Sequence, residues 1–369
     1  MSAYKRVVVK IGSSSLVSKA GLIDLPAMAR FVQELSQLHA EGLEVVFVSS
    51  GAVASGKGKV DLEPRYQASR KQILSAVGQS VLMQKYSQFF SEYGITVAQM
   101  LLIREDLEDR QTYLNARTTL QGLLHHRVLP VINENDVVTA GSFGGNDMLA
   151  AAIAGLVDAD LLVLLTDVPG YYQKYSSDVA PEAYLRELSP EAVEVELGVK
   201  RSSSSSGLGT GGITTKLEAM SLAASFGIPS VIAQGKSAGL LKKVLSDEAD
   251  TGTWCRSVVS RLESRKRWLR YGSKPVGEIK VDDGAEQALL HHGTSLLPIG
   301  VVQVNGTFER GDLVSIVSGS TEAVIALGLV NCSSDIARLI QGKKSADIKQ
   351  TVGSFSLEEL VHRDNLVLV

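Results

Sequence analysis

The chain has 369 residues, 44% hydrophobic and 21% charged, with a net charge of −3. That make-up belongs to a globular protein and excludes a disordered or fibrous one, and the near-neutral balance gives no bulk attraction to nucleic acid or to an anionic membrane. Two distant cysteines, Cys255 and Cys332, stand outside any C-x-x-C spacing, which excludes a disulfide framework or zinc knuckle and fits a reducing cytosol.

The length exceeds that of one usual core, so two domains are expected. Lys10 and Gly12 interrupt the apolar run at Val7–Val9 before a signal-peptide core can form. The longest apolar run, residues 161–165, falls far short of the ~20 residues of a membrane helix, and a soluble cytoplasmic protein is expected.

Residues 6–11 form a β-branched run that ends at Gly12-Ser13-Ser14-Ser15, the pattern of a strand buried on both faces and opening into a small-residue loop. A helix follows, with Asp24 as N-cap, Pro26 in its first turn, Met28, Phe31, Val32, Leu35 and Leu38 at helical spacing, and Gly42 at its close. Residues 45–48 are the next strand and lead into Ser49-Ser50-Gly51-Ala52. A long helical pattern spans residues 65–93, with Gly78 a point of local weakness. Strands at 95–102 and 128–132 flank a helix at 112–125, and Asn133-Glu134-Asn135-Asp136 hangs from the second of them. An Ala-rich helix begins near Asn146-Asp147 and feeds a strand at 161–165 that ends in Thr166-Asp167. After an irregular region, a helix near Thr214 leads through Gly227 to a strand at 230–233.

Strands alternating with helices predict a mainly parallel sheet with helices on both faces, a three-layer α/β/α sandwich. In such a sheet ligands bind beyond the carboxyl ends of the strands, where these polar strand ends converge. The catalytic domain is placed at residues 1–257. The basic stretch 261–270 lies in a linker at 258–274, and reads as a solvated connection rather than an RNA site. Residues 275–369, with short strands at 278–281, 301–304 and 313–317 and a helix at 284–291, read as a small, mostly β domain. The serine run 202–206 reads as a mobile loop.

The run Gly207-Leu208-Gly209-Thr210-Gly211-Gly212 bares backbone N–H groups ahead of a helix N-terminus, with Lys216 where loop and helix meet. Lys216 follows Thr215 rather than a glycine, so this is not a P-loop, and alone the stretch reads sooner as a flexible glycine-serine loop before an ordinary helix. Lys10, inside a Val/Ile strand, either snorkels to the surface or meets an anion. Together Lys10 and Lys216 fit a pair of cations closing on one phosphoryl group, with Asp147 expected between them to relieve their repulsion.

None of the six histidines, His39, His125, His126, His291, His292 and His362, is placed to act as a base at the strand ends. An acceptor already ionised, such as a carboxylate, needs none. Asn133, Glu134, Asn135 and Asp136 together with Asn146 offer amide and carboxylate groups suited to an α-ammonium and the polar ends of a small amino acid, although Asn133-Glu134 alone reads as an ordinary turn. Thr166 and Asp167 suit a ribose or base, although a turn before Pro169-Gly170 accounts for them as well.

The segments Val8–Ser13, Ser49–Val53, Val131–Asp136, Asn146-Asp147, Leu165–Asp167 and Gly207–Gly212 with Thr215-Lys216 together resemble the amino-acid kinase superfamily, most closely its γ-glutamyl kinase branch. The residues from about 275 resemble the PUA module appended to many bacterial members. This resemblance implies the amino-acid kinase fold and transfer of the ATP γ-phosphoryl group to the side-chain carboxylate of L-glutamate, the first step of proline synthesis. By motif position Lys10 and Lys216 would stabilise the phosphoryl group, and Asp147 would orient both. Ser50, Gly51, Ala52, Asp136 and Asn146 would hold glutamate. Lys10, Gly12, Ser13, Thr166, Asp167, Thr210, Gly211, Gly212, Ile213, Thr214, Thr215 and Lys216 would hold ATP. The resemblance further implies Mg²⁺ carried by ATP and water with no dedicated protein ligands, inhibition by proline, a dimer or tetramer, and a partner glutamyl phosphate reductase. The Asp-Pro pair common after this Tyr in the family is missing after Tyr172.

Overall fold

A computed structural model of the chain describes residues 4–18, 20–57, 59–60, 63–139, 143–173, 184–203, 212–237, 239–246, 248, 251–256, 275–344, 347–348 and 359–368. The chain divides into two compact units, Met1–Val258 and Val259–Val369. The predicted basic stretch 261–270, Thr210 and Gly211 lie outside the described residues.

In the first unit the order is β1 (Arg6–Ile11), α1 (Ser13–Leu16), α2 (Leu25–Ala40), β2 (Glu44–Ser49), α3 (Ala52–Gly56), α4 (Arg70–Ser91), β3 (Val97–Leu102), α5 (Arg104–Glu108), α6 (Arg110–His125), β4 (Leu129–Glu134), α7 (Asn146–Leu156), β5 (Leu161–Thr166), β6 (Glu187–Leu188), α8 (Pro190–Ser203), α9 (Ile213–Ser225), β7 (Ser230–Gln234), α10 (Leu240–Leu245) and β8 (Thr253–Cys255). The sheet runs β3-β4-β2-β1-β5-β7-β8-β6, and every pairing is parallel except β7 with β8. The chain winds outward from β1 on one side and from β5 on the other, so the switch point lies between these two strands.

Side chains alternate across the sheet. Val7, Val9 and Ile11 of β1 join Phe47, Val131 and Val163 in one apolar cluster with Met28, Phe31 and Leu35 of α2 and Leu82, Tyr86 and Phe90 of α4. Val8 joins Val46, Ile132, Leu162 and Leu164 in the other, with Leu149 and Ile153 of α7 and Leu217 and Met220 of α9. Each such side chain, fully buried, contributes roughly 1.5–3 kcal/mol. That burial offsets the charges withdrawn from water at the sheet's edge.

Asp24 caps α2 by accepting a hydrogen bond from the Ala27 amide at 3.0 Å, and Pro26 sits in the first turn. Three expectations need correction. Residues 64–69 form a 3₁₀ turn, and the α-helix begins only at Arg70. Gly78 does not break that helix. A Cβ there would lie 1.8 Å from the Ala52 carbonyl oxygen, and one at Gly56 would lie 2.1 Å from the Leu74 oxygen, so these glycines let α3 and α4 touch backbone to backbone. The region read as irregular holds β6 and α8, and Ser202 and Ser203 of the serine run close that helix.

The second unit contains β9 (Gly277–Val281), α11 (Asp283–His292), β10 (Val301–Gly306), β11 (Leu313–Ser318), β12 (Val324–Val330), α12 (Ser334–Ile340) and β13 (Val361–Leu368). Its sheet runs β10-β9-β11-β12-β13, and only β9 with β11 is parallel. Ile279, Val281, Val314, Ile316, Phe308 and Val361 form a core of its own.

Candidate active site

Lys10 continues the alternation set by Val8, so its side chain leaves β1 on the face covered by α7 and α9. There its Nζ lies 2.5 Å from Asp147 Oδ1. Asp147 stands in the first turn of α7, where the positive end of the helix favours an anion. Its other oxygen accepts from Lys216 Nζ at 3.1 Å, and the Thr215 hydroxyl lies 3.0 Å from the same atom and 2.8 Å from the Gly212 carbonyl. Asp147 is 0% exposed, Lys10 3% and Lys216 5%.

Three ionised groups out of solvent are tolerable only when paired. Burial lowers the pKa of Lys10, an effect that Asp147 opposes and the second ammonium, Lys216, reinforces. Burial by itself would raise Asp147, but the charges of Lys10 and Lys216 outweigh it and hold the carboxyl below its usual range. The cluster is therefore an anion held between two cations at the switch point. Gly12 sits directly above it: a Cβ at that position would be 3.4 Å from Lys10 Nζ and 3.6 Å from the Leu165 oxygen. A bare backbone is thereby left beside the ammonium group.

A second polar cluster forms at the ends of β2 and β4. Asn146 Nδ2 lies 2.8 Å from Asn133 Oδ1, 3.0 Å from the Ser49 carbonyl and 3.0 Å from Ser50 Oγ. Three acceptors on one nitrogen fix the amide's orientation. Its Oδ1 is buried and takes no hydrogen bond in this arrangement. An acceptor of this kind left without a donor costs about 1–3 kcal/mol, so a donor that reaches it is favoured. Asn133 is oriented in turn, since its Nδ2 donates to Gln79 Oε1 at 2.9 Å and its Oδ1 accepts the Glu134 amide at 2.9 Å. Gly51 takes φ +111°, and a Cβ on it would meet Ile23 Cδ1 at 2.9 Å, so the turn from Ser50 into Ala52 requires glycine.

Asp136 pairs with Lys71 Nζ at 2.8 Å and lies 3.3 Å from Ser75 Oγ. Lys71, Ser75 and Gln79 recur at i, i+4 and i+8 along α4 and so share one face of that helix. That polar stripe was missed in the sequence, where only the apolar face of the helix was read. Three polar residues at helical spacing were the available signal.

On the other side, the Thr166 hydroxyl donates to Asp167 Oδ1 at 3.1 Å, and the Asp167 carbonyl accepts from Gln234 Nε2 at 3.0 Å. Asp167, Gly212 and Ser13 are exposed, and Ile213, Thr214 and Thr215 are half-buried. The structure thus gathers Lys10, Gly12, Asp147, Thr215 and Lys216 in one cluster. Ser50, Asn146 and, through Asn133 and Gln79, the α4 stripe that holds Asp136 form the other. Among the described residues no group of three or more His, Cys, Asp and Glu side chains forms a metal cage. Both oxygens of Asp147 are already engaged.

The Amino acid kinase family model matches residues 5–234, and the PUA domain model matches residues 277–352. The chain is 43% identical to a glutamate 5-kinase of Moorella thermoacetica over 375 aligned residues, covering all of this chain and 97% of that one. It is 44% identical to a glutamate 5-kinase of Carboxydothermus hydrogenoformans, with 99% and 98% covered. Among solved structures, a carbamate kinase from Giardia lamblia bound to AMP-PNP superposes with a TM-score of 0.50 at 15% identity, covering 70% of this chain and all of that one. At that identity the likeness concerns the fold alone.

Proposed function

Because the chain belongs to the amino acid kinase family, we propose that it transfers the γ-phosphoryl group of ATP to the side-chain carboxylate of L-glutamate, giving L-glutamyl 5-phosphate. The observation that carries this reading is the pair of buried lysines sharing one buried carboxylate at the switch point. A glutamate side chain is ionised near neutrality, its pKa being about 4.3, so attack requires no base. What the site must supply is position and positive charge.

Lys10 and Lys216 donate to the oxygens of the phosphoryl group as charge spreads over them, while Asp147 acts as the positioning residue that keeps both in place. Thr215 and the N-terminus of α9, after Gly212, face the nucleotide's phosphates, and Thr166 and Asp167 its ribose or base. Ser50, Gly51 and Ala52 border the glutamate, Asn146 Oδ1 accepts a hydrogen bond from its α-ammonium, and Asp136 supplies the balancing negative charge. Mg²⁺ is the expected counter-ion of ATP. With Asp147 fully engaged, the phosphates and water are its expected ligands.

Proline as feedback inhibitor, a homo-oligomer, cytoplasmic residence and a downstream glutamyl phosphate reductase complete the proposal. The product is an acyl phosphate, which water hydrolyses, so a reaction that consumes it promptly is expected, and the reductase is the one proposed. No helix among the described residues is long and apolar enough to cross a membrane.

The test is trapping of the acyl phosphate by hydroxylamine in the presence of ATP and Mg²⁺. Hydroxamate formed with L-glutamate, and less of it on adding proline, is the expected result. Hydroxamate from N-acetylglutamate or aspartate but none from glutamate would leave the family intact and remove the substrate.

A further inference from the structure

The ion pair between Lys71 and Asp136 joins one open and one enclosed group. Lys71 is 46% exposed, so water reaches the pair from the lysine's side and weakens it relative to a buried pair. Asp136 is the more enclosed partner at 14%, with Ser75 Oγ at 3.3 Å on its other oxygen. A cation and an anion 2.8 Å apart at the mouth of a site are the mirror of an α-amino acid head, in which ammonium and carboxylate leave the same carbon. Binding such a head exchanges one internal ion pair for two crossed ones with no change in net charge. A lone Asp136 would accept any amine, whereas Asp136 beside Lys71 rewards a zwitterion.

The placement supports this exchange. Lys71 and Ser75 reach Asp136, and Gln79, one turn further along the same helix face, reaches Asn133. Asn133 in turn orients Asn146, whose buried Oδ1 takes no hydrogen bond from within the chain. A single stripe on α4 therefore contacts Asp136 directly and Asn146 through Asn133.

We propose that Lys71 is a specificity-determining residue that receives the α-carboxylate of the acceptor while Asp136 and Asn146 receive its α-ammonium. The assignment rests on the reading of the acceptor as glutamate. The test compares L-glutamate with 4-aminobutyrate, which is glutamate without its α-carboxylate, by ADP release in the wild type, Lys71→Met and Lys71→Arg. In Lys71→Met the KM for glutamate should rise about tenfold or more, the loss expected for one hydrogen bond to a charged group, with kcat nearly unchanged. The kcat/KM for 4-aminobutyrate should hold or improve. Should its turnover fall below detection, its inhibition constant against glutamate takes its place. Lys71→Arg should keep most of the discrimination.

An unchanged KM for glutamate would overturn the assignment. A parallel fall for both compounds would do the same, since that is the mark of a purely structural lysine. Thermal unfolding of each variant separates misfolding from recognition, and Lys71→Gln serves where Lys71→Met does not fold. A wild type that turns over 4-aminobutyrate or another carboxylate but not glutamate removes the acceptor, and Lys71's role with it. A wild type active on glutamate without the variant pattern removes only Lys71.

Discussion

Asp147 and Asp136 each hold a lysine within 3 Å, yet Asp147 lies wholly out of solvent between two buried ammonium groups, while Asp136 pairs with a lysine 46% exposed. The difference follows from what each cluster handles. Around Asp147 the low dielectric strengthens every charge, and the ion pairs keep the cations aimed before any phosphate arrives. At the other pair water reaches Lys71 more than Asp136, so the lysine can be exchanged for a ligand more easily than a buried partner could. One end of the site is preorganised for charge, and the other is open to trade.

The largest effect should come from breaking the dry end. Asp147→Asn leaves two buried cations facing one another, and should cost about 3–5 kcal/mol of stability, the penalty for removing one partner of a buried ion pair. In the same variant kcat should fall by about 10²–10³, as when a preorganised electrostatic contact is lost. Because phosphate can replace the missing anion, ATP should raise the melting temperature of the variant more than that of the wild type. A variant as stable as wild type without nucleotide would show that the three charges are not coupled.

The next effect concerns pH. With Lys10 depressed by burial, the alkaline limb of kcat/KM should lie below the ordinary lysine range, and Lys10→Arg should move it upward whatever its absolute rate. The sign for stability is the reverse. Between the folded and unfolded pKa values the unfolded chain holds the extra proton, so this group makes stability rise with pH through that window. Activity should therefore be lost at alkaline pH while circular dichroism still reports a folded chain. Simultaneous loss of both would contradict the assignment. On the acid side Asp147 contributes stability above the unfolded carboxylate value of about 3.9, lost as pH falls through its depressed folded value.

The smallest effect belongs to the open end. Gln79→Leu removes the acceptor that orients Asn133, worth about 1 kcal/mol, and should raise the KM for glutamate roughly fivefold with little change in kcat. Equal losses in kcat and kcat/KM would place Gln79 with the chemistry instead.

The dry end was legible in the sequence because a lysine inside Val7–Ile11, and an acid opening an apolar helix at Asp147, each break a strong local pattern. The open end was only half legible. Asp136 and Asn146 stand out at a strand end and a helix start, but Lys71, Ser75 and Gln79 gain meaning only once α4 is seen beside the end of β4. The strands β6 and β8 are two and three residues long, too short for any periodicity to register. Helix α8 was lost because Val193-Glu194-Val195-Glu196-Leu197 alternates like a strand, although Val195 is 65% exposed while Val193 and Leu197 are buried. In the second unit β12, α12 and β13 went unread. Asn133 appeared as part of an ordinary turn, and the structure makes it the link between Gln79 and Asn146.

Gly56 and Gly78, which let two helices meet with no side chain between them, also bear on how such an enzyme changes its acceptor over generations. The short helix after Ser50 and the helix carrying Lys71 meet backbone to backbone, so a change in the tilt of either would have to break that contact. Replacing residues along the stripe one at a time leaves that contact untouched, which makes it the route by which specificity can change on a constant frame.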